Sequence, residues 1–373
     1  MLNSRLIKAY LIPGLAFQSV IVAGGYATGR EVVEFITSYG PIGGLFALIV
    51  SAITFSVILG LTYEFSRAFK VYDYRNFFKS LLGKAWVGYE FVFLSTLLLI
   101  LAVISATAAN VFSDNFNIPE YIGVILMLLM IVTTNYFGRE VVNKTLTYCA
   151  VVLTFFIITF FILVLILHGS DLLDTLGTGE VKQGWALSGF MFAAYNCTTI
   201  PALLFSAGAI QSKKESIGAG VIAAFLALIP GLLFHLSFLV GYPEVLTKSL
   251  PSYWLIAQLD IKYLLNCYII ILFVTLVQSG VGLLQGLIER IDSWKYEKSG
   301  KHLSHLSGAG ISVITIVLAS LLSAFGIIDL ISKGYRGIAI GLFLVYLLPI
   351  CTIGLYKIVR QQGKQNKVAY VDN

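Results

Sequence analysis

Long apolar runs separated by short polar interruptions fill the chain, and their length sets the first expectation. A helix needs about 20 apolar residues to cross a bilayer. Ten stretches meet that length: 9–39, 41–66, 86–112, 119–137, 141–168, 185–210, 216–242, 262–289, 306–325 and 333–358. The pattern predicts an all-α polytopic membrane protein.

Ten spans divide at the polar stretch "GSDLLDTLGTGEVKQG", residues 169–184, into five and five. The expected organisation is a first repeat at 1–168, a connecting loop at 169–184, a second repeat at 185–358 and a tail at 359–373. Because five is odd, the second set must run through the membrane in the opposite sense, giving a 5+5 inverted repeat. The first span of each half is also the irregular one. "VIVAGGYATGREVVEF" breaks near Gly24, Gly25 and Gly29, and "FMFAAYNCTTIPALLF" carries Asn196, Thr198, Thr199 and Pro201 in mid-span. Interrupted spans at corresponding positions of two halves point to a transporter's binding site. Taken singly, such glycines also serve close helix packing, and a lone proline is also a kink.

Composition agrees with the pattern. The chain is 58% hydrophobic and 12% charged, with a mean hydropathy of +0.89. Its net charge of +6 is spread over short loops, which fits the positive-inside rule and argues against nucleic-acid binding. With the N-terminus inside, 19 of the 25 basic residues fall in cytoplasmic segments, leaving Arg30, Lys182, Lys248, Lys262, Lys333 and Arg336 outside. Both termini are therefore expected in the cytoplasm. Arg5 and Lys8 precede the first span, which reads as retained rather than cleaved. The four cysteines lie apart in apolar segments, so neither a disulfide framework nor a zinc cluster is expected.

The break in the first span carries the candidate chemistry. Glycine weakens a helix by about 1 kcal/mol relative to alanine, and unwound backbone survives in a membrane only beside a polar cavity. Its carbonyls are suited to a cation and its amides, at a restarting helix, to an anion. The predicted solute site is Gly24, Gly25, Tyr26, Ala27, Thr28 and Gly29 with Tyr195, Asn196, Thr198 and Thr199. If the helix restarts near Thr28, Glu31 and Glu34 sit in its first turns, where the helix dipole favours acids. Arg30 is positioned to neutralise one of them, and Glu31, Arg30 and His235 are candidates for coupling or gating. His235 is an ionisable group well inside the seventh span, with hydrogen bonding to a neighbouring helix as the plain alternative.

"AGGYATGRE" followed by "EFITSYGPIGG", with "AAYNCTTIP" half a chain later, resembles the bacterial YkvI-type membrane proteins. That family is similar to the amino acid–polyamine–organocation superfamily, which has the LeuT fold. The resemblance implies a ten-helix core with a solute between broken helices one and six. In sodium-coupled members, hydroxyl residues of the eighth helix join carbonyls of the first to hold sodium. In "FVTLVQSGVGLLQGL", Ser279 matches the second hydroxyl, while Gln278 replaces the first and Thr275 lies one turn earlier. The resemblance thus implies a possible sodium site of Ile21, Gly24, Thr275, Gln278 and Ser279, and Gln285 falls where some relatives carry glutamine. Ser279 reads equally as a packing residue bonded to the preceding turn. A proton-coupling lysine of some relatives has its counterpart in Lys144, which reads better as a positive-inside anchor.

Smaller expectations complete the reading. Ser105, Thr107 and Asn110 flank the solute by resemblance or act as helix–helix glue. Glu64 and Arg67 form an inner ion pair or gate, and Asp329, Lys333 and Arg336 pair with one another. No Walker loop or HExxH pair occurs, so an enzyme is not expected. The function read is an ion-coupled secondary transporter of an amino acid or amine-like solute in a bacterial inner membrane. It has no cofactor beyond Na+ or H+, and its oligomeric state, monomer or homodimer, is left open. A receptor built on a transporter scaffold is the alternative.

Overall fold

The computed structural model describes residues 4–22, 26–116, 119–136 and 139–361. These residues form helices joined by turns, with no strand among them. The first interrupted span is helical from Ser4, through a π-turn at Ile7–Leu11, into α1 (Ile12–Ile21), and resumes as α2 (Arg30–Phe35). There follow α3 (Pro41–Phe69), α4 (Tyr74–Leu82), α5 (Val87–Phe116), α6 (Glu120–Tyr136), α7 (Arg139–Gly177) and α8 (Trp185–Asn196). The second interrupted span continues from α8 as a 3-10 segment, Cys197–Ala209. Then come α9 (Lys213–Phe238), α10 (Pro251–Gln258), α11 (Lys262–Ser299) and α12 (His305–Ser323). The last span runs from Ile327 through a π-segment, Leu330–Tyr335, into α13 (Arg336–Leu342) and beyond.

Seven of the described helices are long and apolar enough to cross a membrane, eight if the bent pair Trp185–Pro201 and Leu203–Ala209 counts as one. The expected fourth span is the shorter apolar helix α6, of 17 residues. Three expected loops contain helix. α4 is amphipathic, capped by Asp73 accepting from the Asn76 amide, and buries Phe77, Phe78 and Leu81. α10 lies within 243–261, and α7 runs on to Gly177 past a kink at His168, consuming half of the expected 169–184 loop. From the rest of that loop Lys182 donates to the Tyr242 phenol at 2.7 Å, and this bond raises the Lys182 ammonium pKa from its usual value.

The helices pack in two groups. α3 lies along α8 and α9, and α1 lies along α9; separately, α5, α6, α11 and α12 pack together. α7 bridges α9 and α11, while α13 rests on α8 and α5. Within the first group α3 and α9 touch closely, because a Cβ on Gly220 would stand 2.5 Å from the Gly60 backbone nitrogen. Such contact of small residues is how helices associate in lipid, where apolar burial supplies little drive.

The interrupted spans meet half by half. α1 packs on the Cys197–Ala209 segment and α2 packs on α8. The N-terminal half of each thus meets the C-terminal half of the other, so the two run antiparallel. We call the end of the molecule at α1 and the 3-10 segment the near end, and that at α2 and α8 the far end.

Candidate functional site

At the first break, α1 ends where the Val22 amide bonds to the Gln18 carbonyl at 3.0 Å. Gly24 and Gly25 lie outside the described residues. The chain then turns through Tyr26–Gly29 and restarts at Arg30, two residues later than the sequence suggests. The delay comes from Gly29, whose φ of +78° ends the turn in the left-handed region as the N-cap of α2. A Cβ there would stand 2.3 Å from the Phe238 ring and 2.6 Å from Ser252 Oγ. Residues with side chains rarely adopt that φ, so glycine is required twice over.

The carbonyls of this turn have partners. Tyr26 O accepts from the Gly29 amide at 2.9 Å, Thr28 O from the Ser252 amide at 3.1 Å, and Ala27 O from the Tyr268 hydroxyl at 3.2 Å. Tyr26 itself points at α9, where its hydroxyl donates to Ala227 O at 3.3 Å. The Thr28 hydroxyl oxygen accepts from the Arg30 amide at 3.2 Å.

Charges gather just beyond. Arg30 neutralises Glu34 at 2.9 Å, not Glu31, and also donates to Leu246 O and Lys248 O. Arg336 does not join Asp329 and Lys333, which pair alone at 3.0 Å; it reaches Glu34 at 3.3 Å and the Tyr39 hydroxyl at 3.2 Å. Helical spacing explains the first outcome, since Arg30 and Glu34 are four apart on one face of α2. Glu31 projects elsewhere, is 4% exposed, and accepts from the Tyr195 hydroxyl of α8. The Tyr335 side chain of the last span faces the same carboxyl. The Tyr195 and Tyr335 rings are 4.6 Å apart.

The second interruption keeps its polar groups at home. Asn196 Nδ2 donates to Phe192 O at 3.0 Å, Thr198 Oγ1 to Tyr195 O at 2.5 Å and Thr199 Oγ1 to Asn196 O at 2.9 Å. Backbone tightening into a 3-10 helix, with Pro201 inside it, bends the span by 74°. One carbonyl is gripped from outside, Thr198 O, by the Tyr89 hydroxyl of α5 at 3.0 Å.

Other expected residues fall into place more plainly. Thr275 Oγ1 and Ser279 Oγ donate to the carbonyls of Ile271 and Thr275, at 2.7 and 2.8 Å. Gln278 is buried beside them, and Ile21 is the last residue of α1. Their helix, α11, packs on α5, α6 and α7 and reaches the first break through Tyr268. His235 is fixed between helices: Nε2 lies 3.0 Å from Pro41 O and Nδ1 3.1 Å from Thr37 Oγ1. The carbonyl accepts, so Nε2 carries hydrogen and, in the neutral ring, Nδ1 accepts from the threonine. Ser105 and Thr107 hydroxyls bond back along α5, and Ser320 of α12 donates to Ser105 at 3.4 Å, which is helix–helix glue. The Lys144 side chain lies outside the described residues. At the near end Arg67 forms a bidentate pair with Glu64, which also accepts from Ser216, and Arg5 pairs with Glu215 at 2.6 Å.

Sequence reading missed Tyr335, Tyr268 and Tyr89. Each is a tyrosine in an apolar run, a residue type that usually serves packing. The usable signal for two of them is position, since Tyr89 and Tyr268 both lie near the start of the third expected span of their half.

Interrupted antiparallel helices, a buried acid at their seam and apolar helices around them define a multi-pass membrane protein of transporter-like architecture. The chain is 23% identical over 301 residues to the "Uncharacterized membrane protein YkvI" of Bacillus subtilis, covering 76% of this chain and 82% of that one. No family model matches. Among solved structures, a Na+-coupled sialic acid symporter in a substrate-bound outward-open state shares the fold at a TM-score of 0.55 and 14% identity, over 93% of this chain and 85% of that one. The manganese transporter of Eremococcus coleocola gives 0.59 at 10%, over 92% and 78%. Mhp1, a nucleobase-cation-symport-1 family transporter in a closed conformation, gives 0.55 at 12%, over 94% and 78%. These neighbours are membrane transporters and not enzymes.

Proposed function

We propose that the chain is an ion-coupled secondary transporter of a small polar solute, an amino acid or amine-like molecule, working by alternating access. The observation that carries this reading is the half-by-half pairing of two interrupted helices, α1 with the 3-10 segment and α2 with α8. Such a pair gives a site with one half of each helix facing each end, so either end opens while the other stays closed. Both ends are tied here, the far end by Arg30, Glu34 and Arg336 and the near end by Arg5–Glu215 and Arg67–Glu64. The antiparallel run of the two spans supports ten helices in a 5+5 inverted repeat. The basic near-end segments support cytoplasmic termini in a bacterial inner membrane.

The solute site comprises the amides of Gly24 to Gly29 with Tyr195, Asn196, Thr198 and Thr199. The solute would take over the side-chain donors of Asn196, Thr198 and Thr199, which are now spent on their own helix. The neighbours carry chemically unlike cargoes, sialic acid and manganese among them, so the solute class rests on this site and not on the fold. Purified protein in lipid vesicles, given labelled amino acids and amines under imposed Na+ or pH gradients, tests the reading. It predicts accumulation above equilibrium that collapses when ionophores dissipate the gradient. Binding without accumulation would overturn it in favour of a receptor.

A further inference from the structure

Glu31 and Glu34 stand three residues apart on α2, yet the cations serve only Glu34. Arg30 lies 2.9 Å and Arg336 3.3 Å from the Glu34 carboxylate, and among the described residues no ion pair reaches Glu31. What faces Glu31 is neutral: the hydroxyls of Tyr195 on α8 and Tyr335 on the π-segment. The other titratable groups on elements packed against α2 are engaged elsewhere or stand in water. Tyr26 bonds to Ala227 O, His235 to Pro41 O and Thr37, and Tyr39 to Arg336. Lys333 pairs with Asp329 and is 79% exposed, Glu244 pairs with Lys248 at 2.6 Å, and Tyr253 of α10 is half-buried.

A buried carboxylate is costly unless a positive charge joins it. The room around this one decides which charge. The Tyr195 ring is 4.6 Å from that of Tyr335, 5.4 Å from Phe35 and 5.8 Å from Phe192. Rings in contact at these distances leave a proton, which needs no volume, as the cation the closed arrangement accepts. We propose that Glu31 is the coupling-proton site, with Tyr195 and Tyr335 as the groups that hold its carboxyl in the closed state; this rests on the transporter reading above. One proton adds to a Glu31 carboxylate oxygen as α2, α8 and the π-segment close, and the same proton leaves when they part. Both tyrosines keep their own. Because the three groups come from three separate segments, proton binding and closure favour each other by reciprocal linkage. His235, the other ionisable candidate, lies on α9 with both ring nitrogens engaged by Thr37 and Pro41 O.

Infrared difference spectroscopy of the full chain in lipid nanodiscs, titrated with pH, tests the site without knowledge of the solute. A carboxylic-acid C=O band should appear as pH falls, persist in Glu34→Gln and vanish in Glu31→Gln. Tyr195→Phe and Tyr335→Phe should each move that band to higher frequency, because a donor to the carbonyl is lost; a tyrosine that only fills space would leave it in place. If Glu31→Gln does not fold, carbon-13 labelled glutamate in the wild type and Tyr335→Phe decides by the same shift. A band indifferent to Glu31→Gln, or unmoved by both tyrosine substitutions, overturns the proposal. A Glu31 band in a protein that accumulates nothing leaves the proton site standing and removes the transport reading. Accumulation indifferent to a pH gradient, with no Glu31 band, does the reverse.

Discussion

Between Tyr26 and Gly29 the first interrupted helix gives up its regular bonds, whereas between Cys197 and Ala209 the second tightens them into a 3-10 helix. At the first break Ala27 O and Thr28 O are held by Tyr268 and the Ser252 amide, from α11 and α10. At the second, Asn196, Thr198 and Thr199 bond within their own helix, and Thr198 O is held from outside by Tyr89. A glycine break therefore hands backbone groups to neighbouring helices, whereas a proline-bearing 3-10 bend keeps its polar groups within its own helix. Each break is nonetheless tethered by one tyrosine of the second helix group, Tyr268 of α11 at the first and Tyr89 of α5 at the second.

Substitution at the glycine break should cost most. Gly29→Leu imposes a left-handed φ and a clash with Phe238 and Ser252, together about 3 kcal/mol. Pro201→Ala should cost about 1 kcal/mol or less, mostly through the unfolded chain. Denaturant unfolding in detergent compares the two, and equal costs would erase the contrast. Next comes the far-end network. Arg30→Met should cost about 2 kcal/mol, below the ~3–5 kcal/mol of a fully orphaned buried charge because Arg336 still serves Glu34. Arg336→Met should cost about 1 kcal/mol, since Arg336 is the more exposed partner.

The tethers come third. Tyr268→Phe and Tyr89→Phe should each cost about 1 kcal/mol, the net worth of one hydrogen bond, and the double variant should show the sum, because the sites share no partner. The smallest effect belongs to the connecting loop. Lys182 is 42% exposed, so Lys182→Met should cost under about 1 kcal/mol. Its pKa is raised by the Tyr242 bond, so this stability is complete below the ordinary lysine range. It is lost as pH rises through the raised value. A Lys182→Met protein whose alkaline unfolding matches the wild type would remove that contribution.

Much of this was legible in sequence because lipid imposes simple demands. Apolar length placed α3, α5, α9 and α12 within a few residues, and glycine and proline marked both interruptions. Side-chain destinations were not legible. Arg30 lies next to Glu31 in sequence, yet adjacent helical residues point apart, and the i, i+4 relation to Glu34 wins. Arg336 left Asp329 and Lys333 for an acid some three hundred residues away, a choice only packing makes. The short helices α4 and α10 are too polar or too brief to register as apolar runs. Tyr335, which completes the Glu31 site, looks like any aromatic residue of a membrane helix.

Cys197 reports on the central claim that the two interruptions are held by separate tethers, Tyr268 at the first and Tyr89 at the second. It is fully buried and adjoins Thr198, the residue Tyr89 holds. With the other three cysteines replaced by alanine, the rate of Cys197 labelling by a small maleimide can be followed in lipid vesicles. The account predicts that Tyr89→Phe speeds labelling several-fold, because the 3-10 segment is freed at the near end, while Tyr268→Phe leaves the rate at or below that of the parent. Equal acceleration by both substitutions, or by Tyr268→Phe alone, would contradict it.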